Sequence, residues 1–88
     1  MGTLILRIKK EHLDDITSGK KSIDYRDCTE YWVNRLVEDV INSGEENEEI
    51  VFTKFDKIKF LCGKIVLEKT HVKTELDEEN GEFQIYFS

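Results

Sequence analysis

The stretch Ser18–Asp27, SGKKSIDYRD, sets two lysines, one arginine and two aspartates around two large side chains, Ile23 and Tyr25. Lys21, Asp24 and Arg26 are the members of it suited to holding a nucleotide. A base edge presents donors and acceptors and a phosphate presents anionic oxygens, so a site for both needs an acceptor, a guanidinium fork and a cation in one small volume. Residues two apart on a strand share a face, which sets Asp24 beside Arg26, with Lys21 at the strand's start just beyond Gly19. The plainer alternative is an ion pair that only balances charge on a sheet face, a common and weak interaction when exposed.

Tyr31, Trp32 and Arg35 form a second group. Aromatic rings and guanidinium planes stack on any base, worth about 1 to 3 kcal/mol per base. Tyr31 and Arg35 are an i, i+4 pair on one side of a helix. Trp32 sits at the edge of an apolar stripe and fits a core role equally well, so Tyr31 and Arg35 are the better candidates to face a ligand. Lys9 and Lys10, after the first strand, offer either phosphate contacts or a solvated pair. His12 and His71 have no recognisable ligand partner and read as structural or surface residues. Cys28 and Cys62 are too few and too far apart for a metal site, and read as reduced thiols of a cytoplasmic protein. No metal is expected, and no dinucleotide or P-loop glycine pattern points to a cofactor.

These residues need elements to position them. TLILRIKK alternates Leu4, Leu6 and Ile8 with Ile5 and Arg7, the pattern of a strand buried mainly on one face. EHLDDITSG predicts a short helix with Leu13 and Ile16 on one side, stopped by a left-handed Gly19. Ser22 to Arg26 has the period of a strand, Ile23 and Tyr25 on one face, Ser22, Asp24 and Arg26 on the other. TEYWVNRLVEDVINSG predicts the clearest helix: Trp32, Val33, Leu36, Val37, Val40 and Ile41 make a continuous stripe, with Thr29 as N-cap and Gly44 as stop. EENEE reads as a solvated loop. EIVFTKFDKIKFLCG returns to alternation, Ile58 and Phe60 opposite Lys57 and Lys59, with a turn near Gly63. KIVLEKTHVKTEL reads as a long strand, and an Asn80–Gly81 turn leads to a last strand whose Phe83, Ile85 and Phe87 share a face. Helices early and consecutive antiparallel strands late favour a small α+β fold with a curled sheet or barrel.

Composition bounds the function. At 88 residues the chain makes one domain, residues 1–88, because a chain this short buries only roughly 60 to 65% of its surface on folding. Hydrophobic residues are 39% and charged residues 36% of it, so the core is thin and the surface heavily charged. The net charge of −6 is uneven: residues 1–35 carry seven Lys/Arg against six Asp/Glu, residues 36–88 six against thirteen. An anionic partner should therefore meet the N-terminal half, at a local pocket and not a broad basic face suited to a duplex. No secretory leader or membrane-spanning run is apparent, so no membrane partner is expected.

Helix, SGKK, then a strand reading SIDYR resembles the signature of the ASCH domain family, in which a short helix ends in Gly, lysines follow, and a strand carries an acidic residue two positions before an arginine. LILRIKKEHLDDITSGKKSIDYRD, EYWVNRL, FDKIKFLCG and FQIYFS follow in the order and spacing of small bacterial and phage-type members, covering residues 3–63 well and the last strand loosely. The resemblance implies a PUA-like β-barrel, open on one side, with two helices near a cleft lined by the signature strand, where family members bind RNA or nucleotides. Two departures stand out: Asp24 replaces the usual Glu, and TELDEENGE replaces a Gly- and Trp-containing loop before the last strand.

The leading expectation is thus an RNA- or nucleotide-binding domain using Lys9, Lys21, Asp24, Arg26, Tyr31, Trp32 and Arg35. An alternative is an amidohydrolase, since one branch of the family looks like a deacetylase of N4-acetylcytidine that uses a lysine, a threonine nucleophile and a glutamate. Lys21 matches the lysine, but Asp24 stands at the threonine position, and catalysis by Lys21 and Asp24 would be a different mechanism, with the carboxylate as general base toward water. A third reading comes from composition alone: the acidic half, residues 36–88, could serve a protein partner, as an inhibitor or nucleic-acid mimic.

Overall fold

Every second residue of the closing strand is apolar, and this period selects its inner face: Phe83, Ile85 and Phe87 are all buried. The computed structural model describes residues 2–42 and 48–88. The chain runs β1 (Thr3–Arg7), α1 (Lys10–Thr17), β2 (Ile23–Asp27), α2 (Glu30–Leu36), β3 (Val37–Asn42), β4 (Glu48–Phe52), β5 (Lys57–Cys62), β6 (Ile65–Asp77) and β7 (Glu82–Phe87). Leu4 and Leu6 of β1, Ile58 and Phe60 of β5 and the three β7 residues build the core, closed by Ile16 from α1 and Leu36 from α2. Each such side chain contributes roughly 1.5 to 3 kcal/mol by leaving water. Phe60 and Phe87 meet edge to face at 4.9 Å between ring centres, the geometry ring quadrupoles favour.

The main sheet has the order β1-β5-β6-β7-β2, with β1 parallel to β5 and every other pair antiparallel. The long strand β6 makes the sheet curl. Its first half pairs with β5 through Ile65–Thr70 and its second half with β7 through His71–Asp77, and the register shifts between His71 and Lys73 at the changeover. Such an irregularity bends a strand and raises its twist. The curl carries the outer strands, β1 and β2, towards each other, but among the described residues no ladder joins them, so the sheet is open and not a closed barrel. Turns fall at the glycines anticipated for them: Gly63 and Gly81 take φ of +58° and +64° between β5, β6 and β7.

One predicted element is corrected. The expected helix over residues 30–43 stops at Leu36, where Val37 adopts φ −106° and ψ 120°, and Val37–Asn42 forms a separate two-stranded sheet with β4. Trp32, Val33, Leu36 and Val37 pack on the core as the stripe predicts, whereas Val40 and Ile41 are exposed. β-branched Val37, Val40 and Ile41 lose side-chain freedom in a helix and fit a pleated strand, and a pairing partner in Ile50 and Val51 decides the matter. Thr29 does cap the helix, its Oγ1 accepting from the Trp32 amide at 3.5 Å. The predicted Gly44 stop and the first three residues of EENEE lie outside the described residues, and Glu48 and Glu49 belong to β4.

The architecture is therefore α+β, two helices against an open mixed sheet with an added hairpin. Among the described residues no helix is long and apolar enough to cross a membrane.

Candidate functional site

The site lies in the seam between the outer strands. β2 turns its polar side inward: Asp24 is only 3% exposed, while Tyr25 on the other face is half exposed. A carboxylate this deep needs a partner, and Arg26 supplies it across the i, i+2 step. Arg26 Nε donates to Asp24 Oδ1 at 2.5 Å and Nη2 to Oδ2 at 3.1 Å. Nη2 also donates to the Arg7 carbonyl at 3.1 Å, joining β2 to the end of β1 through a side chain where no ladder exists. A guanidinium has five N–H donors. These bonds use three, fix the plane of the group, and leave the Nη1 amino group without a partner among the described residues.

Lys21 is positioned by the end of α1. Gly19 takes φ +82°, which lets the chain reverse, and the amides of Lys20 and Lys21 both donate to the Asp15 carbonyl at 2.9 and 3.1 Å. The reversal returns Lys21 along α1, where its Nζ lies 3.4 Å from His12 Nδ1. An ammonium has only donors, so this contact requires a His12 lone pair and hence a proton on Nε2 if the ring is neutral.

Arg7, Lys9, His12, Lys21, Asp24 and Arg26 line a cleft of about 380 Å³, with Ile8 and Tyr25 completing its wall. Tyr31, Trp32 and Arg35 do not enter it. They line a neighbouring cleft of about 300 Å³ with Ile5, Arg7 and Arg26. The two groups picked out in the sequence thus occupy adjoining clefts with a shared wall, Arg7 and Arg26. In the second cleft the Arg35 guanidinium lies 4.8 Å over the Tyr31 ring and that of Arg26 lies 5.2 Å over Trp32, while Tyr31 and Trp32 meet edge to face at 5.0 Å. Trp32 has both roles foreseen for it, packing on the core and lining a cleft. Lys10 begins α1 and lines neither cleft.

Arg7 is a cleft residue the sequence did not single out, and His12, read there as a structural or surface residue, lines the cleft as well. Arg7 could have been found from the alternation that puts it opposite Leu4 and Leu6. His12 had no local signal, since it meets Lys21 only through the reversal at Gly19.

A roomier hollow of about 510 Å³ lies beside the hairpin, between Phe52, Phe55, His71 and Thr74. His71 Nδ1 is 3.2 Å from the Phe55 carbonyl and Nε2 is 2.9 Å from Thr74 Oγ1, so the neutral ring with its proton on Nδ1 satisfies both contacts. Burial holds the imidazole below its ordinary pKa, partly opposed by the bond to the Phe55 carbonyl. Both His71 nitrogens are thus engaged, and the hollow also has two lysines in its lining, Lys54 and Lys73, the latter paired with Glu75. Among the described residues no group of His, Cys, Asp and Glu could hold a metal ion.

Compared with protein-family models, curated proteins and solved structures, the chain matches none.

Proposed function

We propose that this protein is a binding module for nucleotides or short single-stranded RNA, acting through the clefts on either side of Arg26, with the open sheet serving as a PUA-like half-barrel of ASCH type. One observation carries the reading. In a chain of net charge −6, five of its thirteen Lys/Arg residues, Arg7, Lys9, Lys21, Arg26 and Arg35, line two adjoining clefts whose single carboxylate among the described residues, Asp24, is bound by Arg26. Concentrated positive charge beside Tyr31 and Trp32 suits a ligand that combines phosphate with flat rings. A site of this size is a local anion pocket, not a duplex-binding face.

The hydrolase reading has less support. A general base needs a lone pair that water can reach, and Asp24 is buried, with each of its oxygens already accepting from Arg26. Asp24 serves better as the residue that orients Arg26.

Trp32 is the only tryptophan in the chain, so its fluorescence reports directly on the second cleft. Titration with a six-nucleotide uridine RNA should change its emission saturably, and Arg26→Lys, which removes the planar fork, should weaken the response at least fivefold. An absence of any saturable change, together with retention of a basic protein partner at low salt, would instead favour the acidic half as the working surface.

A further inference from the structure

We propose that the ligand is bound in a two-nucleotide register: one base unit in each cleft, with the phosphodiester between them held on the shared wall by Arg7 and Arg26. This rests on the nucleotide-binding reading above and specifies the length and shape of the ligand.

Three features carry it. The clefts, of about 380 and 300 Å³, are each at the small end for a ligand site, each suited to one base with its sugar and neither to two. Among the described residues the two linings share Arg7 and Arg26 alone, so a molecule filling both must be narrow where it crosses and must present negative charge there. A phosphodiester between two nucleosides has that form. The crossing is also prepared for it. Arg26 is immobilised by Asp24 and the Arg7 carbonyl, yet two of its five N–H donors, those on Nη1, have no partner among the described residues. A guanidinium already fixed on one side loses little freedom in gripping an anion on the other. Arg7 adds an exposed second guanidinium at the same wall.

The two ends differ, which gives the register a direction. The first cleft has ammonium groups, Lys9 and Lys21, together with His12, and offers donors to the edge or the terminal phosphate of one nucleotide. The second offers ring and guanidinium planes, with Tyr31 56% exposed, and suits stacking of the other base.

The test compares uridine 5′-monophosphate with the dinucleoside monophosphate UpU, by NMR titration of the whole protein and of its Tyr31→Ala and Lys21→Ala variants. UpU carries less phosphate charge than the mononucleotide, so tighter binding of UpU cannot arise from charge alone. The proposal expects UpU to bind at least tenfold more tightly and to shift amides near both Lys21 and Tyr31. Tyr31→Ala should reduce UpU to about the affinity of the mononucleotide and leave mononucleotide shifts near Lys21 in place. Equal affinity for the two compounds in the wild type, with no effect of Tyr31→Ala, would overturn the register and leave a one-nucleotide site standing. Failure of both compounds and of the six-nucleotide RNA to bind would overturn the nucleotide reading and the register together.

Discussion

The Arg26 guanidinium donates to the main-chain carbonyl of Arg7, 3.1 Å away, and this is the only hydrogen bond among the described residues from β2 to β1. A side chain thus stands where a closed barrel would have a backbone ladder. The same group forms the wall between the two clefts, so the opening that leaves the sheet unclosed also makes the site.

Asp24 is the residue that fixes this arrangement. Removing one partner of a buried ion pair leaves the other charge uncompensated and typically costs about 3 to 5 kcal/mol. Asp24→Ala is expected to fall near the low end of that range in urea unfolding at pH 7, because Arg26 keeps some access to water, its side chain being 20% exposed. The double variant Asp24→Ala with Arg26→Met should lose less than the sum of the single losses. A loss under about 1 kcal/mol for Asp24→Ala would show the pair to be of the weak surface kind.

Tyr31 makes the opposite prediction. It is exposed and outside the core, so Tyr31→Ala should change stability by no more than about 0.5 kcal/mol. The same substitution should weaken RNA binding by about 1 to 3 kcal/mol, the usual value of one stacked base. Paired unfolding and binding curves separate the two effects.

Gly19 links the helix end to the site. Nothing lies within 4 Å of a Cβ added there, so any penalty comes from the backbone angle alone. Gly19→Ala should destabilise the fold by about 1 kcal/mol. Gly19→Asn should cost less, since Asn tolerates the left-handed region better. Amide shifts of Lys20 and Lys21, whose bonds to Asp15 depend on the reversal, provide the readout.

His71 gives the fold a pH dependence. Its folded pKa lies below the ordinary value of about 6.5. The unfolded chain therefore takes up the proton more readily, and stability is favoured where the ring is neutral in both states. This contribution is fully present above pH 6.5, starts to fall below it, and is lost once pH passes the folded pKa. Thermal unfolding between pH 7.5 and 5 should show the decline, and His71→Gln should flatten it. An unchanged slope in that variant would assign the dependence to another group.

Much of this was legible in the sequence because it is periodic. Phe83, Ile85 and Phe87 alternate with polar residues, and Ile58 and Phe60 do likewise, so these strands and their inner faces follow from a period of two. The Asp24–Arg26 neighbourhood was equally readable, because i, i+2 adjacency holds on any strand. Which face of β2 would turn inward was not, since a polar inner face is stable only once Arg7 of another strand is in place. Residues 37–42 misled for a related reason. Val37, Val40 and Ile41 satisfy helical spacing as an extension of Trp32, Val33 and Leu36, and no capping signal interrupts them. Their strand conformation depends on pairing with Ile50 and Val51, which a local window does not contain. Cross-strand NOEs between Val40 and Ile50 would verify that pairing, and sequential helical NOEs through Val40 would refute it. Nor does spacing show that two clefts, not one, receive the candidate residues, because the partition is set by where Arg26 crosses to β1.

The most direct test of the account is an NMR titration of the ¹⁵N-labelled protein with a short single-stranded RNA, following the Arg26 Nε–Hε signal and the backbone amides. Binding at the seam predicts a saturable shift of Arg26 together with Arg7, Lys9, Lys21 and Tyr31, weakening as salt is raised in proportion to the few phosphates held. Saturation with shifts confined to the β3–β4 hairpin, or an Arg26 signal that does not move at any RNA concentration, would contradict it.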